Sequence, residues 1–384
     1  MTKSTTQNPN HLLQNLNIAI VVEELTQLGG AERLLDYYLE MFPQAPVFTL
    51  VWDKEKTLHR YDKLDIKTSF IQKLPLGVKR YKWYLMLMPK AIESFKLDHY
   101  DIVLSITSAL MKGVKTSSKT LHICYCNTPT RWLWTDKENY LKTAPIPFFI
   151  RPLMPALISK LRKWDLKAAE RPDFFIANSE NVKKRIKKYY NRESDSIFVP
   201  VDVEKFKVSA KRGEYFLVVS RLEPYKKVEM VIEAFRHLNA FLKIVGSGTR
   251  FKELKKTLPE NIELVGRVSD EKLAKMYEQS IATIFPQEED AGIVPLESMA
   301  CGRPVIALAR GGALETVIGN KTGVLFKKQT VLGLVKAVKK FQKIKFNPRA
   351  IHRQAEKFDK ELFKEKLFCY IKNKWQEFSQ KERK

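Results

Sequence analysis

Short apolar runs separated by helical patterns recur along almost the whole chain. Runs at residues 16–22, 47–52, 102–107, 120–126, 174–178 and 197–201 read as buried strands of one sheet. Runs at 215–220, 281–286, 305–308 and 324–326 read as strands of a second, with one more in 241–248, strand and turn, and another opening 262–277 ahead of the loop around Gly266. Strands that are apolar from end to end, with helical periodicity between them, predict parallel sheets covered on both faces. The expected fold class is α/β, with two Rossmann-like doubly wound domains. The boundaries expected are 16–201 and 214–365, with a polar linker at 202–213, and residues 1–15 read as a disordered leader with no apolar core of signal-peptide length.

In open parallel sheets, ligands gather at the carboxyl edge, so the loops that follow strands carry the candidate chemistry. The loop QEEDAG ends at Gly292, and the apolar positions Ile293, Val294, Leu296, Met299 and Ala300 then recur at helical spacing. A glycine there lets a ligand approach the free N–H groups of Ile293 and Val294 and the positive end of the helix, which suits phosphate. Glu289 and Glu297 flank this helix start. Phosphate repels carboxylates, so both are expected to face hydroxyl groups, and phosphate with many hydroxyls describes a nucleotide sugar. The plainer alternative makes Glu289 part of a solvated acidic loop and Glu297 a residue favoured near a helix N-terminus.

Other strand ends add to this picture. The run at 215–220 delivers Arg221 and Lys226, a planar fork and a compact charge that together suit a diphosphate; the alternative is two surface cations in a chain full of them. Gly29 and Gly30 precede a helix carrying Leu34, Leu35, Tyr38 and Leu39, a spacing that capping and tight turning also explain. Val265, Gly266 and Arg267 form a further strand-end loop, and CYCNTPTRWLW places Asn127 in another.

Composition changes the picture only in part. A formal charge of +25 makes an acidic partner expected, yet Lys and Arg outnumber Asp and Glu by 31 to 20 in residues 1–200 and by 37 to 23 beyond, whereas a nucleic-acid arm is more concentrated. Cys124, Cys126, Cys301 and Cys369 lack the spacing of a zinc site or disulfide framework and lie in apolar sequence, which fits a reducing compartment. No run reaches transmembrane length; the longest candidate, 144–161, is broken by prolines and Arg151. Residues 67–96 hold seven Lys or Arg against one acid, interleaved with Phe70, Tyr81, Trp83, Tyr84, Leu85, Met86, Leu87 and Met88. That pattern reads either as an anionic membrane-docking surface or as a core-facing helix with a solvated basic side.

The string EEDAGIVPLE, followed by ACGRPVIA and GGALETV, resembles the signature of the retaining family 4 glycosyltransferases. It departs at Ala291, where a large residue is usual. GGAER at Gly29 and Gly30 resembles the family's first loop, and Arg221 with Lys226 its diphosphate clamp. The residues around Gly266 resemble the loop against which the nucleotide base lies. CNTPTRWLW and ANSENVKKRIKKYY resemble bacterial mannosyltransferases of O-antigen assembly, except that Asn127 stands where relatives carry a histidine near the donor sugar. An asparagine offers neutral hydrogen bonds but no titratable proton.

The resemblance implies a GT-B fold, with residues 366–384 crossing back to the first domain. It also implies transfer of a hexose, mannose from GDP-mannose as the first donor to test, to a lipid-linked or polysaccharide acceptor. Glu289 and Asn127 are then the catalytic candidates. Gly29, Gly30, Arg221, Lys226, Gly292, Ile293 and Val294 take the diphosphate, and Glu297, Val265, Gly266 and Arg267 the nucleoside. No metal, cofactor or nucleic-acid partner is expected, and the location expected is cytoplasmic, peripheral on the inner face of the cell membrane. The rivals are another nucleotide-sugar enzyme, an inactive binding module and a basic nucleic-acid binder.

Overall fold

The computed structural model describes residue 13 and residues 15–135, 152–208 and 213–382. The expected leader lies almost wholly outside these residues, as does residues 144–151 of the proline-broken run. The chain divides into two compact units, residues 1–197 with 364–384, and residues 198–363. The exchange between them thus falls ahead of the polar stretch at 202–213, because Phe206 of that stretch packs with the second unit's buried residues.

The first unit is built on β1 (Ile18–Val22), β2 (Val47–Thr49), β3 (Ile66–Thr68), β4 (Ile102–Thr107), β5 (Leu121–Cys126), β6 (Phe174–Ala177) and β7 (Asp195–Ser196). They form one sheet in the order β3-β2-β1-β4-β5-β6-β7, and every pairing is parallel. All residues of β1, β4 and β5 are buried, as expected for strands covered on both faces. The strand order reverses between β1 and β4, so the loops leaving these neighbours diverge and open a crevice at the carboxyl edge.

Two strand expectations need correction. β3 was not anticipated; it is a three-residue edge strand, Ile-Lys-Thr, too short and too polar to give a pattern. The apolar run at 197–201 is not a strand of the first sheet. The ladder ends with the Ile197 N–H on the Ala177 carbonyl, and Val199 and Val201 instead bury against Phe285 and Leu296 in the second unit, where Val201 bridges to Asp359. Pro200 has no N–H to continue a ladder.

The second unit repeats the design with β8 (Tyr215–Val219), β9 (Leu242–Val245), β10 (Ile262–Gly266), β11 (Ser280–Phe285), β12 (Val305–Leu308) and β13 (Gly323–Phe326), ordered β10-β9-β8-β11-β12-β13 and again all parallel. Its reversal lies between β8 and β11. The last helix, Lys360–Glu382, contributes to the first unit from residue 364 onward, where it buries Leu367 and Ile371. Tyr370 donates to Asp195 at 3.0 Å and Lys364 to Glu40 at 2.9 Å. Three cysteines are buried, and Cys369, expected in apolar surroundings, is exposed on this helix.

Candidate active site

In the first unit, the crevice between β1 and β4 is a pocket whose lining includes Glu23, Glu24, Glu32, Ser108 and Asn127. Asn127 follows β5; its N–H is held by the Thr107 carbonyl at 2.8 Å, and its side-chain amide donates to Ser108 at 3.3 Å. Asn178, after β6, donates to the side-chain amide oxygen of Asn127 at 3.5 Å. One oxygen of Glu23 accepts from the Thr107 hydroxyl at 2.6 Å and from the N–H groups of Ala109, Ser108 and Met111 at 2.8, 3.2 and 3.3 Å. Burial, and then the neighbouring Glu24 charge, nevertheless raise its pKa against those bonds.

The glycine loop here is closed on itself. The Gly29 N–H donates to Glu32 at 2.8 Å, the carboxylate reaching back to cap its own helix, Gly30–Met41. A donor phosphate expected at Gly29 and Gly30 would have to displace that carboxylate and would face Glu23 and Glu24 as well. The motif around Asn127 has a structural part too. Thr130 and Trp134 enter a sealed network with Lys112, Asp165 and Tyr190. Lys112 donates to Asp165 at 2.5 Å, to the Ala109 carbonyl at 2.6 Å and to Thr130 at 3.2 Å. Asp165 also accepts from Thr130, Trp134 and Tyr190 at 3.0, 2.8 and 2.9 Å. Burial by itself lowers the pKa of Lys112, but the Asp165 charge and Tyr190 outweigh it and raise it.

In the second unit, β8 and β11 lie side by side, so the loops after them meet. Lys226 ends a 3-10 turn, Pro224–Lys226, and its ammonium is ion-paired with Glu289. The side chains are 13% and 19% exposed, and Gln287 donates to the same Glu289 oxygen at 3.0 Å. Gln287 is itself buried, and its amide oxygen has no partner among the described residues. Arg221 is exposed and donates to the Tyr225 hydroxyl at 2.7 Å, so the two cations expected to act as one clamp are held by different partners. Lys227 is exposed at φ +58°, at the junction of that turn and the next helix.

The glycine pair Gly311–Gly312 buttresses the acidic loop. The Gly312 N–H donates to the Glu289 carbonyl at 2.9 Å. A Cβ on Gly311, where φ is +60°, would lie 2.2 Å from the Glu289 carbonyl oxygen, and one on Gly312 would lie 2.3 Å from that of Ala291. Ala291 is buried beside Phe285, Leu296 and Met299, so this chain fills the usual large residue's place with a small one without exposing the loop. Gly292, at φ +83°, opens the helix Ile293–Ala300, whose start has no side-chain cap. Ile293 and Val294 are half-buried there, and Pro295 contributes no N–H.

Glu297 is buried on this helix and accepts from the Tyr277 hydroxyl at 2.7 Å. Tyr277, fully buried, comes from the helix Asp270–Glu278. Gly266 takes φ +84° where the β10 register shifts, and its carbonyl accepts from the Gly246 N–H at 2.9 Å. Val265 packs partly buried in the cluster that holds Tyr277, and Arg267 is exposed. Among the described residues, no group of three or more His, Cys, Asp or Glu could hold a metal ion.

The sequence and the fold have known counterparts. Residues 200–358 match the family described as Glycosyl transferases group 1. That match lies within the second unit and covers under half of the chain. An uncharacterized glycosyltransferase of Methanocaldococcus jannaschii is 26% identical over 219 residues, covering 55% of this chain and 62% of that protein. The alpha-1,3/1,6-mannosyltransferase ALG2 of Dictyostelium discoideum is 28% identical over 277 residues, 60% of this chain and 64% of that protein. The chain thus spans a little under two thirds of the length of these curated relatives. The crystal structure of Anabaena HepE in complex with UDP-glucose superposes with a TM-score of 0.66 at 16% identity, covering 93% of this chain and 99% of that one. At that identity it shows the fold, which is GT-B.

Within the second unit, sequence reasoning missed Gln287 and Tyr277, which hold Glu289 and Glu297. Gln287 had a signal in its place two residues before Glu289; Tyr277 had none, since only packing brings its helix to Glu297. In the first unit it missed the carboxylates of Glu23, Glu24 and Glu32. The Gly29-x-x-Glu32 spacing is the legible one, because a glutamate three positions beyond an N-cap reaches back to it.

Proposed function

We propose that the chain is a retaining glycosyltransferase that moves a hexose from a nucleoside diphosphate donor to a glycan acceptor. The observation that carries this reading is the Lys226–Glu289 pair beside the uncapped helix start at Gly292, at the strand-order reversal of a group 1 domain. Lys226 and the N–H groups of Ile293 and Val294 neutralise the departing diphosphate, and Arg221 swings from Tyr225 to join them. Glu289 faces the transferring sugar, and Glu297 holds ribose hydroxyls. As the bond from the anomeric carbon to the phosphate oxygen breaks, the acceptor oxygen bonds to that carbon from the same face, and its proton passes to the phosphate oxygen. Asn127 contributes neutral hydrogen bonds in the first unit.

Mannose from GDP-mannose is the first donor to test, supported by the ALG2 relatives, and bacterial O-antigen assembly is a setting that fits the motif resemblance. A uridine donor is the second reading, favoured by the UDP-glucose held by HepE. A panel of nucleoside diphosphate sugars is tested by ligand-induced thermal shift and by release of free nucleotide. Stabilisation and turnover with one donor are expected. A chain that neither gains stability nor releases nucleotide with any of them is not a transferase of this kind.

A further inference from the structure

The stretch between β3 and β4 is the part of the first unit that the transferase reading leaves unused. Its three short turns, Phe70–Lys73, Tyr81–Tyr84 and Met88–Glu93, sink Ile71, Leu85, Met88, Ala91 and Ile92 into the core, so Leu85 and Met88 belong to folding rather than to any outer surface. The other side is different. Phe70, Leu76, Trp83 and Leu87 are 36%, 56%, 48% and 42% exposed. Hydrogen bonds from the Arg80 N–H to Leu76, from the Trp83 N–H to Arg80, from the Leu87 N–H to Tyr84 and from the Tyr84 hydroxyl to Pro75 hold the last three in one compact run of turns.

Leu76 is the informative residue. Its φ is +53°, a left-handed conformation disfavoured for a side chain bearing a Cβ and tolerated best by Gly or Asn. The turn is tight, since a Cβ on Gly77 would lie 1.9 Å from the Ile71 carbonyl oxygen. Leu58 shares this geometry, at φ +51° and 68% exposed, but its neighbours Lys56, His59 and Arg60 are paired with acids, so what sets Leu76 apart is the charge of its stretch. The same stretch carries Lys73, Lys79, Arg80, Lys82 and Lys90, all exposed, and among the described residues none has a carboxylate within ion-pair reach. The one acid of the stretch, Glu93, is already engaged by Arg171 at 2.5 Å and Lys115 at 3.4 Å. Arg80 lies 5.3 Å from the centre of the Trp83 ring.

We propose that this face docks on an anionic lipid bilayer, with Leu76, Trp83 and Leu87 entering the interface and the five cations meeting headgroup phosphates. Exposed leucines beside a tryptophan call for a partner with an apolar phase, which a polyanion such as a nucleic acid lacks; the uncompensated cations call for negative charge. None of the described helices is long and apolar enough to cross a membrane, so the contact is made at the surface.

The test sediments the full chain with vesicles of phosphatidylcholine alone and of phosphatidylcholine with phosphatidylglycerol. Binding is expected to favour the anionic vesicles, and K79Q/R80Q/K82Q to lose roughly five-fold per cation removed. Leu76→Asn separates docking from folding. It is expected to hold or raise the melting temperature, because Asn suits the turn, while partitioning falls, and Trp83→Ser is expected to lower partitioning in the same direction. Equal binding to neutral and anionic vesicles overturns the proposal. So does parental partitioning of both Leu76→Asn and Trp83→Ser, or displacement from the vesicles by duplex DNA at equal phosphate. The readout is partitioning rather than turnover, so this result stands apart from the transferase reading.

Discussion

Each unit contains a lysine–carboxylate pair near a strand-order reversal, and the two pairs are built to opposite ends. Lys112 and Asp165 are 1% and 0% exposed, and Thr130, Trp134, Tyr190 and the Ala109 carbonyl take up their remaining hydrogen-bonding capacity. Lys226 and Glu289 remain partly open to solvent, with Gln287 as an additional donor to Glu289. A sealed pair with every lone pair occupied can only be broken at the full cost of an uncompensated buried charge, so it fixes the loops around it. A partly solvated pair exchanges partners at much lower cost, which is what a site that must admit a charged ligand needs.

Removing one partner of the sealed pair is the strongest way to break this comparison. Asp165→Ala is expected to destabilise the first unit by about 3–5 kcal/mol, read as a lowered denaturant midpoint, because it strands the Lys112 charge and three further donors. Glu289→Gln should change the unfolding midpoint of the second unit far less. Equal losses in the two variants would show that exposure does not separate the pairs.

Next in size is the chemical effect of Glu289→Gln. Loss of an electrostatic contact to charge that develops only in the transition state raises the barrier by about 2.7–4 kcal/mol. Donor turnover is expected to fall accordingly, with nucleoside diphosphate affinity nearly kept, and full turnover in this variant would remove Glu289 from the chemistry. Glu297→Gln should do the reverse, weakening free nucleotide by about 1.5–3 kcal/mol at little cost to turnover under saturating donor. Calorimetric titration with the nucleoside diphosphate distinguishes the two glutamates. The smallest effect is expected from Tyr277→Phe, which removes one neutral donor from Glu297 and costs about 0.5–1.5 kcal/mol in nucleotide affinity or stability. If Tyr277→Phe matched Glu297→Gln, the carboxylate would be acting as a packing group for Tyr277 and not as a ligand.

How far the site was legible varies by residue. Gly292 was readable as the start of a helix, since an apolar periodicity begins at the next position, but its left-handed φ of +83° came only from the structure. The glycine pair at 311–312 was visible as a motif, but its reason, carbonyls of Glu289 and Ala291 lying where a Cβ would stand, is a contact between loops. Arg221 and Lys226 looked equivalent on the page because both follow β8. Their partners differ because Tyr225 is one turn from Arg221, whereas Lys226 faces the loop after β11. The run at 197–201 misled for a related reason. Its apolar residues are buried as the pattern demands, but hydrophobicity states that a residue is covered and not by what.

The sequence by itself determined the elements and their class. Strand runs apolar throughout dictate sheets covered on both faces, and helical periodicity between them dictates parallel crossovers, because both signals repeat over a few residues. Tertiary structure alone decided the pairs that matter. Lys226 and Glu289 are 63 positions apart, Lys112 and Asp165 are 53 apart, and Tyr277 and Glu297 are 20 apart. Strand order brings the first pair together, since β8 lies against β11 although the two are not consecutive in the chain, and the packing of helices on the sheets brings together the other two. Local periodicity fixes what each segment becomes, but which segments become neighbours is set by the packing of the whole sheet, and the site exists only where those neighbours meet.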